Sequence, residues 1–157
     1  MALNAYLKLA GSKQGEIKGS VTQKGREGMI LVIAAHELVS RPPDAKRRVW
    51  QPFVITKEID RSTPLLYQAL IDNEALKQWE LHFWSANLET RGGTEVNDFN
   101  IRLGNARVSA IELTMLNNKD PALQRFAVAE QISFTFDSIE IIWVDGEIVA
   151  TDAITPP

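Results

Sequence analysis

Apolar and polar residues alternate with a period of two along most of this chain, and that alternation restricts it to a fold built from sheets. In "QWELHFW", Trp79, Leu81 and Phe83 take one parity and Gln78, Glu80 and His82 the other, so one face of the strand is core and one is wet. "AYLKL" sets Tyr6 against Leu7 and Leu9 in a first strand, and "FVITKEI" sets Phe53, Ile55 and Ile59 against Thr56, Glu58 and Asp60. "MILVIAAHELV", residues 29–39, is apolar on both parities over its first half and reads as a strand covered on both faces. In "FNIRLGNARVSAIELTML" the apolar parity flips twice, which a strand achieves by inserting residues, and Gly104-Asn105 is the natural bulge. A last run carries Ile132, Phe134, Phe136, Ile139, Ile141 and Trp143 towards Asp145-Gly146, a two-residue hairpin signal, with "EIVA" as the returning strand.

Only "RSTPLLYQALIDNEAL" changes period. Ser62 and Thr63 offer capping hydroxyls, Pro64 suits a first helical turn, Leu66, Ala69 and Leu70 recur at helical spacing, and Asn73 suits a left-handed end. Glycines at 11, 15, 19, 25 and 28 mark the segment after the first strand as loop, and "RGG" at 91–93 supplies turn residues. Seven or eight strands and one helix, with connections too short for parallel crossovers, predict a mainly β protein. It is an antiparallel sandwich or closed barrel with a helix on its outside.

The chain has 157 residues, enough to bury roughly 70% of its unfolded surface in one compact domain spanning 1–157. Seventeen cations and 20 anions leave a net charge of −3, so no global positive field attracts nucleic acid. Without cysteine there are no disulfides, no thiolate catalysis and no Cys-type zinc sites. The opening "MALNAYLKLAGSKQGE" holds no apolar stretch of signal-peptide length and no run of 18 apolar residues follows, so neither a cleavable signal nor a membrane span is expected.

Catalytic parts are missing. His36 and Glu37 are adjacent and point to opposite faces of a strand, while His82 shares the wet parity of Glu80 without a third partner. There is no HxH, HExxH, GxSxG or phosphate loop; "KGREG" lacks the spacing, and "NNKDP" at 117–121 reads as a turn rather than a calcium loop. No catalytic residue, metal ligand or cofactor site is assigned, which leaves surface features. Trp79 and Trp143 read as core, whereas Trp50 and Trp84 are open to either role, Trp84 lying on the exposed parity. "SRPPDAKRRVWQPF" gathers Arg41, Lys46, Arg47 and Arg48 beside Trp50 in one proline-marked loop between two apolar strands. It lacks the interleaved aromatics of a nucleic-acid platform, so an acidic protein surface is the better partner.

The opening "MALNAYLKLAGSKQGEIKGSVTQKGREGMI", the segment "HELVS", the run "QPFVITKEIDRSTPLLYQAL" into "WELHFW" and the closing "ISFTFDSIEIIWVDG" together resemble the haemolysin-coregulated protein family, Hcp, collinearly over essentially the whole chain. The resemblance implies a structural subunit of the bacterial type VI secretion system. It implies an antiparallel β-barrel of two packed sheets with one flanking helix, similar to phage tail-tube proteins. It further implies homohexameric rings stacked head to tail into a hollow tube, with a spike protein at the tip, a contractile sheath outside and secreted effectors in the lumen. Such a protein is cytoplasmic before assembly and then leaves through the machine without a signal peptide. On this resemblance the loop with Arg41, Lys46, Arg47, Arg48 and Trp50 reaches the neighbouring ring. A monomeric β-barrel that binds a small apolar ligand is the alternative.

Overall fold

A computed structural model describes residues 4–86 and 94–154. The turn glycines at 92 and 93 lie outside the described residues. The strands are shorter and more numerous than the alternation predicts. In chain order they are β1 (Ala5–Gly11), β2 (Gly15–Ile17), β3 (Ile30–Val32), β4 (Ala34–His36), β5 (Val39–Ser40), β6 (Val49–Trp50) and β7 (Phe53–Glu58). After the helix α1 (Thr63–Ile71) come β8 (Leu76–Ala86), β9 (Glu95–Gly104), β10 (Arg107–Thr114), β11 (Ala129–Thr135), β12 (Ser138–Trp143) and β13 (Ile148–Ala153).

All pairings are antiparallel. One sheet runs β13-β12-β9-β8-β1, with β2 and β3 sharing the far edge of β1 end to end, and a second runs β10-β11-β7-β4. Trp79 of β8 joins the two: its ring meets Phe53 of β7 at 4.9 Å and Phe134 of β11 at 5.5 Å, both edge-on. Leu7, Leu9, Ile55, Leu66, Leu81 and Ile132 complete the packed interior. Among the described residues no ladder joins the sheets into a closed barrel, so the architecture is a two-sheet sandwich.

Three of the long runs read as single strands are broken at the corners of this sandwich. Residues 29–39 split at Ile33, β3 joining one sheet and β4 the other, which is why both parities of that run are apolar. Gly104-Asn105 is likewise a change of sheet rather than a bulge. Asn105 takes a left-handed φ of 49° and donates to Asp137 at 2.5 Å, and a Cβ on Gly104 would strike Ser138 Oγ. The corner at 136–137 between β11 and β12 is thereby braced against the corner at 104–106. A true register shift does occur nearby, between Val108 and Ala110. The closing hairpin has a four-residue loop, 144–147, with left-handed Gly146 and Glu147, instead of a two-residue turn.

Smaller expectations also shift. The glycine-rich loop contains β2, because Gly15 at φ 72° permits a tight return on β1. Ser62 sits at the helix start without a side-chain cap, its hydroxyl donating instead to Asp60 at 2.5 Å, while Leu66 and Ala69 bury the inner face and Asn73 ends the helix at φ 49°. Ile59 is 48% exposed, since β7 ends at Glu58. Trp143 is 45% exposed rather than core, because it lies where the last hairpin leaves the sandwich. Trp84, which alternation leaves open to either role, is part-buried, covered by the Arg26 guanidinium at 3.9 Å.

Candidate functional site

The basic loop is a hairpin. Val39 pairs Trp50 and Ser40 pairs Val49, Gln51 N–H donates to Leu38 at 2.9 Å, and the tip turns at Pro42-Pro43 with Ala45 N–H donating to Pro42 at 3.0 Å. Proline fixes φ and the turn closes on itself, so the tip is stiff for its length. Its base is bolted to β13. Arg48 grips both oxygens of Asp152 and reaches the Ala153 carbonyl, and Trp50 Nε1 donates to Asp152 at 2.8 Å while its ring stands edge-on to Phe136 at 6.0 Å. The Arg48 hydrogen bonds, then that of Trp50, hold the Asp152 carboxyl below the usual carboxylate range.

The five loop residues thus divide by geometry. Arg48 and Trp50 face their own molecule, whereas Arg41, Lys46 and Arg47 are exposed and make no ion pair among the described residues. The two oxygens of Glu37, just before the hairpin, are shielded from water, with only the Leu38 backbone among the described residues to ease the charge. Burial pushes its pKa up to about 7.

Three features here escaped the sequence reading. Asp152 is 104 residues from Arg48 in sequence, and no local signal links them. Lys57 is fully buried on the core parity between Ile55 and the end of β7. Its ammonium lies 2.6 Å from Glu130, 3.0 Å from Asp60, 2.8 Å from the Glu58 carbonyl and 3.2 Å from the Thr63 hydroxyl. A lysine breaking a parity of Phe53 and Ile55 was the available clue. Arg26, from the glycine-rich segment, is buried over Tyr6 (4.8 Å) and Trp84 (3.9 Å) and pairs with Glu95 at 2.7 Å.

His82 lies 3.2 Å from Glu80, which also meets Arg102 at 3.5 Å, a part-buried surface cluster. His36 is exposed on β4. Among the described residues no three His, Asp or Glu side chains converge as a metal site.

The Hcp family, described as "Type VI secretion system effector, Hcp", matches residues 6–143. The chain belongs to the Hcp family. It is 30% identical over 154 residues to the "Major exported protein" of Pseudomonas aeruginosa, covering 88% of each chain. Among solved structures, an Hcp protein matches with a TM-score of 0.89 at 25% identity, covering 98% of this chain and 99% of that one. A variant of Hcp1 from the Escherichia coli EAEC 042 pathovar matches with a TM-score of 0.86 at 31% identity, over 98% and 99%. Hcp proteins are structural tube proteins of the type VI secretion system and not enzymes, and this Hcp chain shares that role. The match to the family ends at Trp143, so the Asp152 anchor of the basic hairpin lies on a strand beyond it.

Proposed function

We propose that this Hcp chain is one whole tube domain, residues 1–157, of the type VI secretion inner tube. Six copies form a ring, and rings stack head to tail into a hollow tube. The observation that carries this reading is the alignment to a solved Hcp structure over 98% of this chain and 99% of that one. Within a ring the sheets of successive copies act together as a barrel-like wall, the arrangement of a phage tail tube. A contractile sheath drives the tube, a spike protein tips it, and effectors ride in the lumen. The protein is cytoplasmic until assembly and then exported through the tube's own machine, in keeping with the "Major exported protein" it resembles.

Two exposed apolar patches support lateral self-association. One comprises Trp143, Val144, Ile148 and Val149 at the hairpin of edge strand β13; the other comprises Leu113 near the end of edge strand β10 and Met115, Leu116 and Phe126 after it. Different patches on one molecule suit the heterologous contact that closes a ring, and each would otherwise leave apolar surface in water. The stiff hairpin then serves the axial contact, with Arg48 and Trp50 fixing its base and Arg41, Lys46 and Arg47 reaching the next ring. A monomeric barrel for an apolar ligand would need an empty interior, whereas Trp79, Phe53 and Phe134 fill the space between the sheets.

Native mass decides the ring: six times 17.6 kDa, about 106 kDa, against 17.6 kDa for a solitary barrel. Replacing Arg41, Lys46 and Arg47 together by Glu should keep that mass and remove stacked rings from negative-stain images. Unchanged stacks would take the axial role away from the hairpin.

A further inference from the structure

The hairpin leaves β7 at one end, and a cleft opens at the other. β4 pairs with β7 through His36–Val54 and Ala34–Thr56, so the chain departs into the hairpin beside Phe53. In the opposite direction, Ile33 N–H donates to Thr56 at 2.9 Å and β3 carries Leu31 towards Glu58. There a cleft of about 470 Å³ lies between Asn4, Tyr6, Leu31, Glu58, Ile59 and Asp60 and the loop at 20–23. At about 3.3 Å per residue, the six steps from Phe53 to Ile59 put hairpin and cleft about 20 Å apart, at opposite ends of the molecule.

We propose that this cleft is the seat for the basic hairpin of a second copy of the chain. The inference rests on the stacking reading above and adds the acceptor surface to it. The hairpin cannot reach its own cleft, so occupancy by copies propagates head to tail without closing. The cleft's size falls in the range of roughly 300–1,000 Å³ typical of built binding sites.

Its chemistry complements the tip. The exposed Glu58 carboxylate has no ion-pair partner among the described residues. Behind it Asp60 and Glu130 set two carboxylates against the single ammonium of Lys57, leaving one surplus negative charge under the lip. Arg61 stands next along the chain and formally cancels this surplus, so the exposed Glu58 carries the lip's one free negative charge. Ile59 and Leu31 give an apolar floor for the exposed Leu38, Val39 and Val49 that flank the cationic tip. The far wall is rigid, since Tyr6 donates to Gln23 at 3.0 Å and is backed by the Arg26 guanidinium.

The chain contains no cysteine, so an introduced pair reports this contact cleanly. Rings carrying Arg47→Cys together with Ile59→Cys, concentrated and mildly oxidised, should run as a ladder beyond dimer on a non-reducing gel. Either single variant should stop at dimer or below. Adding Glu58→Arg to the double variant should cut the ladder several-fold. Stacked rings in micrographs with only monomer on the gel would place the acceptor elsewhere and overturn this inference while the stacking reading stands. Rings that neither stack nor cross-link would overturn both, and a 17.6 kDa particle would remove the tube role itself.

Discussion

Lys57 is fully buried with its charge met by Glu130 and Asp60, and the Thr63 hydroxyl bridges the group by donating to Glu130 at 2.8 Å. One Glu130 oxygen is buried without a hydrogen-bond partner among the described residues, so this cluster is not an unalloyed source of stability. Taking two charges out of water costs several kcal/mol per ion, which mutual attraction only roughly repays. Removing one partner is different, because the other charge is left stranded. Lys57→Met is expected to destabilise the fold by about 3–5 kcal/mol, on the order of 10 °C in Tm, while Lys57→Met with Glu130→Leu recovers most of that loss. Thermal melts at one fixed protein concentration measure it, since assembly couples Tm to concentration. A single variant as stable as the parent would mean that the pair is solvated rather than buried. Parity counting passed over Lys57 because alternation registers apolar residues, and a buried cation is visible only through a partner on another strand.

The basic hairpin is a small element held by a few polar contacts rather than by a core. Its strands are two residues each, too short to be stable alone, so the Asp152 clamp and the Trp50–Phe136 contact set its direction. Asp152→Asn removes the charge that Arg48 and Trp50 share and should free the hairpin without unfolding the sandwich. Hydrogen exchange at 39–50 is expected to quicken by about tenfold or more with core amides unchanged. Because the Asp152 pKa is held low, its contribution is present above the ordinary carboxyl pKa of about 3.9 and is lost as pH falls further through the depressed value. The parent's hairpin should therefore loosen in acid, and the Asn variant should lack that transition. The local elements themselves were largely legible: β1, β7, α1 and β8 follow from alternation and from the Ser-Thr-Pro start of the helix. The breaks at Ile33, Asn105 and Asp137 were not, because a strand that changes sheets keeps its apolar pattern while exchanging hydrogen-bond partners far away in sequence.

At the scale of the whole molecule, the two kinds of exposed surface respond differently to salt. The surfaces around Ile148 (67% exposed) and Met115 (66% exposed), proposed as lateral contacts, are apolar, and burial of such surface is strengthened, if anything, by excluded salts. The proposed axial contact would pair Arg41, Lys46 and Arg47 with the Glu58 lip, and screening shortens the reach of such charges from about 10 Å at 0.1 M to about 3 Å at 1 M ionic strength. Collinear likeness to Hcp made the family and its two sheets readable from sequence. It could not reveal which apolar residues stay exposed, because Ile59 and Trp143 read as core by parity and are exposed only through where their strands end. Sedimentation across a sodium chloride series separates the two contacts. Stacks should shorten progressively towards 1 M while the ring of about 106 kDa, six times 17.6 kDa, persists. Rings that dissociate before stacks do would reverse the assignment, placing apolar burial between rings and charge within them.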